Sequence, residues 1–278
     1  MTSPARIYPS PIGLIAGNRE LPLLVAEKAR ELGRRLAVAA FEGEAEPCLR
    51  ELAADFIWLK LGRLAEMADF FRAAGAVDLV MIGGLSRENI LFNYDPDEAA
   101  AALMATLDDF HTDKILRAVC RWLEERGFRV RAAAELLPEL LTPPGLLTRT
   151  APGEDLTADL KVAWRMAKEL GKLDIGQCAV VSDRITLAVE AAEGTDAAVR
   201  RGAGLAGKPV AVAKVVKPTQ DPRLDPPVIG PDTIRGMTAT GKVGALVVDA
   251  GQVLIIDRAE TIRLADEAGL ALLAWADP

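Results

Sequence analysis

The sequence predicts an α/β protein: an N-terminal Rossmann-like parallel-sheet domain, then a distinct C-terminal α/β domain with hairpins. Three observations carry this prediction. The first half alternates short apolar runs with helical segments closed by glycine, the pattern of βαβ units. The second half places apolar runs on either side of short turns. All seven phenylalanines lie at or before residue 128, and the stretch 141–157, LTPPGLLTRTAPGEDLT, is rich in proline, glycine and threonine. The boundary is therefore placed at 1–140 and 141–278.

Element by element, IGLIAG (12–17) reads as a buried strand, and LPLLVAEKARELG (21–33) as a helix stopped by glycine. LAVAAF (36–41) and FIWLK (56–60) are the second and third strands. RLAEMADFFRAAG (63–75) is an amphipathic helix and VDLVMIGG (77–84) a fourth strand. Residues 97–127 read as two helices. Beyond the 141–157 stretch, a linker or an ordered crossover, ADLKVAWRMAKELG (158–171) is helical. CAVVSDRITLAVEA and VGALVVDAGQVLII read as hairpins, turning at Ser182-Asp183 and at Asp249-Ala250-Gly251, with the strand VAVAKVV (210–216) between them.

Composition narrows the function classes. Half of the 278 residues are hydrophobic, about a quarter are charged, and the net charge is −7, which argues against nucleic-acid binding. The N-terminal stretch lacks the apolar core of a signal peptide, and no apolar run approaches the ~18 residues of a spanning helix. Cys48, Cys120 and Cys178 show no CxxC spacing, so neither a zinc site nor a disulfide framework is indicated. These features predict a cytoplasmic protein. The single histidine, His111, excludes His-rich metal chemistry; with Asp109, Thr112 and Asp113 around it, it reads as much like a helix start as a catalytic group.

Four stretches carry candidate chemistry. Gly17 and Asn18 sit between a strand and a helix, where backbone amides can face an anion; the plain alternative is an ordinary turn, and the spacing is not GxGxxG. Gly83, Gly84, Ser86 and Arg87 follow the fourth strand, at the carboxyl end where parallel sheets bind ligands. In VEAAEGTDAAVRR (189–201), Glu190 and Glu193 are candidate metal ligands, Thr195 caps the next helix, Asp196 falls in its first turn, and Arg200 and Arg201 close the segment.

The densest stretch is KVVKPTQDPRLDPP (214–227). Within it Lys214, Lys217, Gln220, Asp221, Arg223 and Asp225 are presented by a chain stiffened by four prolines. Carboxylates with cations nearby suit Mg²⁺ and phosphate. A surface loop of paired charges is the plain alternative.

GLIAGN, GGLSR, AVEAAEGTDA, KPTQDPRLDPPVIGPDTI and GALVVDAGQVLIIDR, in this order over residues 11–275, together resemble the LpxI family, the UDP-2,3-diacylglucosamine pyrophosphatases of lipid A biosynthesis. Arg19 follows the Gly-Asn pair, where the family pattern often has a second glycine. The resemblance implies Mg²⁺-dependent hydrolysis of a UDP-linked diacyl sugar to UMP and 2,3-diacylglucosamine 1-phosphate (lipid X), on a site between a Rossmann-like domain and a C-terminal α/β domain. Asp225 is the first choice for metal ligand or base, followed by Asp221, Glu190 and Glu193. Lys214, Lys217 and Arg223 would hold phosphate oxygens. Gly17, Asn18, Gly83, Gly84 and Ser86 would line the cleft, with Gln220, Thr195 and Asp196 as further substrate contacts. The expected metal is Mg²⁺, with Mn²⁺ as a substitute. A peripheral contact with the inner membrane surface and a homodimer are left open. A nucleotide-dependent oxidoreductase and a non-catalytic lipid or nucleotide carrier are the rival readings.

Overall fold

The computed structural model describes residues 11–108, 112–218, 220–224 and 226–276, and of Arg87 and Thr112 the backbone alone. Asp225, His111 and Asp109 lie outside the described residues. The chain divides into two units, Met1–Pro138 with Asp221–Asp225, and Glu139–Gln220 with Pro226–Pro278.

In the first unit the chain runs β1 (Ile12–Ala16), α1 (Leu21–Glu31), β2 (Leu36–Phe41), α2 (Leu49–Leu52), β3 (Asp55–Leu59), α3 (Leu64–Ala74), β4 (Asp78–Ile82), α4 (Arg87–Phe92), α5 (Glu98–Met104), α6 (Thr112–Glu124), β5 (Arg129–Arg131) and α7 (Ala133–Leu136). The five strands form one parallel sheet, ordered β3-β2-β1-β4-β5. Ile12 lies beside Leu36 on one side and Asp78 on the other. β1 and β4 are buried along their whole length, which is why they read as continuous apolar runs rather than alternating ones. α1 begins with a proline in its first turn, and α3 ends on Gly75 at φ 73°, a left-handed stop. Four elements of this unit escaped the sequence reading: α2 and α7, four residues each, α4, only one turn and a half long, and β5, three residues on the sheet edge.

Leu224, in the chain's second half, belongs to this unit's core, 4% exposed among Phe71, Leu123 and Trp122. Arg223 beside it binds Asp221 and Glu124 at the end of α6.

The second unit holds β6 (Gly145–Leu146), α8 (Glu154–Lys172), β7 (Cys178–Ser182), β8 (Ile185–Val189), α9 (Thr195–Leu205), β9 (Val210–Lys214), β10 (Val228–Ile229), α10 (Pro231–Thr238), β11 (Val243–Asp249), β12 (Leu254–Ile255), α11 (Arg258–Glu267) and β13 (Ala271–Trp275). Its mixed sheet is ordered β6-β13-β11-β9-β7-β8. The three central strands β13, β11 and β9 are parallel, and antiparallel strands lie on either side. α8 buries Leu160, Ala163 and Ala167 against one face of the sheet. α9, α10 and α11 contribute Val199, Ile234 and Ala265 to the core on the other.

The hairpin expected at residues 182–183 is present as β7–β8, with Asp183 and Arg184 at φ 51° and 61° forming its turn. The second expected hairpin is absent. β11 already has β9 and β13 on its two edges, so β12 turns away and pairs with β10 instead. The 141–157 stretch is an ordered crossover. β6 joins the sheet edge, and Thr142 is buried with its hydroxyl bonded to Asp249 O and Val253 O. Among the described residues no helix is long and apolar enough to cross a membrane.

Candidate active site

In the first unit, the turns after β1 and β4 lie against each other. Gly17 N–H donates to Ile82 O at 2.9 Å and Asn18 N–H to Gly84 O at 2.9 Å. The approach is so close that a Cβ on Gly17 would stand 2.3 Å from Gly84 O, and one on Gly83 would stand 2.7 Å from Asn18 O. Gly83 also sits at φ 98°. These glycines are therefore required by the fold as well as being candidates for ligand contact. Arg19 adopts φ 70°, the left-handed region that glycine occupies at no cost, and so is held under local strain.

Under these turns lies Glu44, a residue the sequence reading passed over. Its carboxylate accepts from Ser86 N and Ser86 Oγ, each at 2.6 Å, and from Asn18 Nδ2 at 2.5 Å. Burial pushes its pKa up, but the hydrogen bonds from Ser86, Asn18 and Asn89 outweigh burial and hold it below the usual carboxylate range. Glu44 follows β2 just after Gly43, at the same carboxyl ends of the parallel strands as Gly17 and Gly83. That position was the one signal that could have found it. Ser86 Oγ also accepts from Asn89 N at 3.1 Å as the N-cap of α4. Its hydroxyl is thus shared between a cap and Glu44. The Oδ1 atoms of Asn18 and Asn89 are buried without a hydrogen-bond partner.

Asp221 and Arg223, expected as separate site groups, meet each other here. Arg223 Nε and Nη2 donate to Asp221 at 2.9 and 2.7 Å, and Nη1 donates to Glu124 at 2.5 Å. Asp221 is held below its ordinary pKa, chiefly by the hydrogen bonds from the Arg223 guanidinium, and Arg223 is raised by its bonds to Asp221 and Glu124.

In the second unit, Glu190 accepts from Thr195 Oγ1 at 3.0 Å and from Gln177 N at 3.2 Å. Gly194, not Thr195, is the N-cap of α9: at φ 82° it makes the turn that a threonine resists, and Thr195 becomes the first helical residue. Asp196 lies in the first turn, as expected. Glu193 accepts from Ala191 N and from Arg201 Nη2 at 2.6 Å. Backbone hydrogen bonding within the Glu193 turn, then the Arg201 contact, keeps its carboxylate below the ordinary pKa.

Lys214 Nζ donates to Val228 O at 2.8 Å. Lys217 Nζ meets Asp174 Oδ1 at 2.6 Å, and Lys217 N–H donates to Gln220 Oε1 at 3.2 Å. Where β9 ends, the backbone is caught by Asp249, fully buried at the end of β11, which accepts from Val216 N at 2.5 Å and ion-pairs with Lys168 at 2.8 Å. Neither Asp249 nor Lys168 was read as a site residue.

Among the described residues no group of three or more His, Cys, Asp or Glu stands together as a metal cluster. Asp221, Glu190 and Glu193 each spend both carboxylate oxygens on local donors.

Residues 11–140 match the model of the LpxI N-terminal domain, and residues 143–273 that of the LpxI C-terminal domain. The UDP-2,3-diacylglucosamine pyrophosphatase LpxI of Caulobacter vibrioides is 36% identical over 274 residues, covering 94% of this chain and 96% of the relative. Among solved structures, a biotin carboxylase domain of Hydrogenobacter thermophilus 2-oxoglutarate carboxylase matches 61% of this chain and 34% of its own at TM-score 0.25 and 16% identity. N5-carboxyaminoimidazole synthetase of Staphylococcus aureus matches 62% of this chain and 38% of its own at TM-score 0.23 and 13% identity. Those likenesses are too slight to bear on fold or function. The two domain models, in order and nearly end to end, and a full-length relative at that identity establish that the chain belongs to the LpxI family.

Proposed function

We propose that this protein hydrolyses the pyrophosphate of UDP-2,3-diacylglucosamine, giving UMP and 2,3-diacylglucosamine 1-phosphate, in lipid A biosynthesis. The observation that carries this reading is the full-length match to a pyrophosphatase of that name, with both domain models in order.

Hydrolysis of a phosphoric anhydride needs donors on the phosphate oxygens, a positioned water and a group to take its proton. In the first unit, the turns at Gly17-Asn18 and Gly83-Gly84-Ser86 lie at the carboxyl ends of β1 and β4; their Gly17, Asn18 and Ser86 N–H groups hold the turns to each other and to Glu44, and the side-chain-free glycines are assigned to contact with the substrate. In the second, Lys217 is the phosphate contact. Its partner Asp174 has a side chain 48% exposed, and an ion pair of that kind contributes ~0–1 kcal/mol, so a substrate phosphate displaces it at little cost. Gln220, Thr195, Asp196 and Lys214 are assigned to the substrate's polar parts. Arg223, bound to Asp221 and Glu124, holds its loop in place.

The donor set suits Mg²⁺, with Mn²⁺ as a substitute. Every candidate ligand is a carboxylate oxygen, and Mg²⁺ is typically held by only one or two carboxylates together with substrate phosphate. With Asp221, Glu190 and Glu193 engaged locally, Asp225 is the carboxylate assigned to the ion or to the attacking water. When bound, the ion neutralises developing charge on the phosphate oxygens.

The test is to incubate the protein with UDP-2,3-diacylglucosamine and Mg²⁺ and measure UMP. Release of UMP is expected, lost in excess EDTA and restored by Mg²⁺ or Mn²⁺ without any need for Zn²⁺. No UMP overturns the function. Full activity in chelator overturns the metal assignment alone.

A further inference from the structure

We infer that Asp249 is a positioning residue for Lys217, acting through the backbone of Val216, with Lys168 as its counter-ion. The inference rests on the phosphate-binding role proposed above for Lys217.

Strand β9 ends at Lys214, which lies beside Val248 of β11. The next two backbone donors have no strand to pair with, and each is caught separately. Val215 N–H donates to Gln177 O at 2.9 Å. Val216 N–H donates to Asp249 Oδ2 at 2.5 Å. The residue after that is Lys217. A neutral acceptor would satisfy a single amide, yet here the acceptor is a carboxylate with no solvent exposure. It is balanced by Lys168 Nζ at 2.8 Å, itself 4.9 Å from the Trp164 ring. A buried ion pair is a poor source of stability, because desolvation offsets most of the attraction. It serves better to fix one backbone arrangement, since moving Val216 strands a charge-assisted hydrogen bond in the interior.

The neighbours agree. The last turn of α8 presses on the same segment: a Cβ on Gly171 would stand 3.3 Å from Lys217 Cα and 3.3 Å from Pro218 Cδ. The Lys217 ammonium is received by Asp174, just beyond α8. Backbone and side chain of Lys217 are thus set by Asp249, Gly171, Gln220 and Asp174, and Asp249 is the charged one among those gripping the backbone.

The atoms supply a discriminating test. An aspartate has two charged oxygens, here Oδ2 accepting from Val216 N and Oδ1 ion-paired with Lys168. An asparagine has a single acceptor oxygen, so Asp249→Asn can serve only one of the two. Removing the competitor with Lys168→Met frees the amide oxygen for Val216 and leaves no unpaired buried charge. The steady-state KM for UDP-2,3-diacylglucosamine is measured for Asp249→Asn, Lys217→Ala, their combination, and Asp249→Asn with Lys168→Met. Asp249→Asn should raise KM about tenfold with a smaller change in kcat. Adding Lys217→Ala should then cost less than about twofold more, because a misplaced lysine has little left to lose. Lys168→Met should restore most of the KM lost in Asp249→Asn.

Independent, multiplying effects of Asp249→Asn and Lys217→Ala, or a failure of Lys168→Met to restore KM, overturn the inference. If Lys217→Ala alone leaves KM unchanged, it is the phosphate reading beneath it that fails. Should Asp249→Asn not fold, the variant with Lys168→Met decides by itself: KM near wild type supports the inference, and KM raised about tenfold overturns it.

Discussion

Arg223 and Asp221 stand two residues apart and bind each other, and this pairing reassigns much of the charge in the 214–227 stretch. Under the proposed function, Asp225 is the carboxylate of this stretch assigned to the chemistry. Asp225→Ala should lower turnover about 10²–10⁴-fold, the usual contribution of a positioned acid or base, while the protein keeps its fold and its substrate affinity. Stopped assays of UMP release, with a thermal melt as control, check this; wild-type turnover would remove Asp225 from the mechanism. Glu44 gives a second prediction. Its folded pKa lies below the ordinary value, so its ionised form contributes stability that is complete above about pH 4.3 and is lost as pH falls through the folded value. Glu44→Gln should therefore destabilise by about 1–3 kcal/mol at pH 7. It should also flatten the acid limb of the stability profile, measured by denaturant melts from pH 3 to 7; an unchanged acid limb would show that Glu44 is not the group being titrated.

At the scale of elements, the β7–β8 hairpin depends on a side chain far from it in sequence. Asp159, on the buried face of α8, accepts from Asp183 N at 3.0 Å and Arg184 N at 2.6 Å, the two turn residues with positive φ. The helix thereby supports a turn that neither residue adopts readily. Asp159→Ala leaves two amides without their acceptor and should cost about 1–3 kcal/mol. Loss of amide-exchange protection at Asp183 and Arg184, with protection in β9 retained, is the expected pattern; equal loss everywhere would mean that Asp159 supports the unit as a whole. The other expected hairpin failed for a reason visible only in the sheet. VGALVVD and VLII are both apolar and the turn between them is ordinary, but β11 is a central strand whose edges are both occupied. Local pattern marks a strand without saying which strand it pairs with.

For the whole molecule, the first unit is not closed by a cut near residue 140. Leu224 occupies its core and Arg223 anchors to Glu124, so a fragment of residues 1–140 lacks both. Emptying the same slot by Leu224→Ala should cost about 2–5 kcal/mol. The fragment should show weaker amide protection at Leu79 and Val80 than the same residues in the full chain; equal protection would remove residues 221–224 from the core.

The sequence by itself determined the first four strands of the first unit with its longer helices, the glycine turns after β1 and β4, the first hairpin and the family. Each is written in contiguous residues: apolar runs, glycine stops, and motifs short enough to read in one window. Only the tertiary structure decided what the charges do. Glu44 meets Ser86 across 42 positions, Val216 meets Asp249 across 33, and Arg223 meets Glu124 across 99. A charge in a sequence does not name its partner. In a folded interior, where an unpaired charge is costly, the partner settles whether a carboxylate is a ligand, a cap or an anchor.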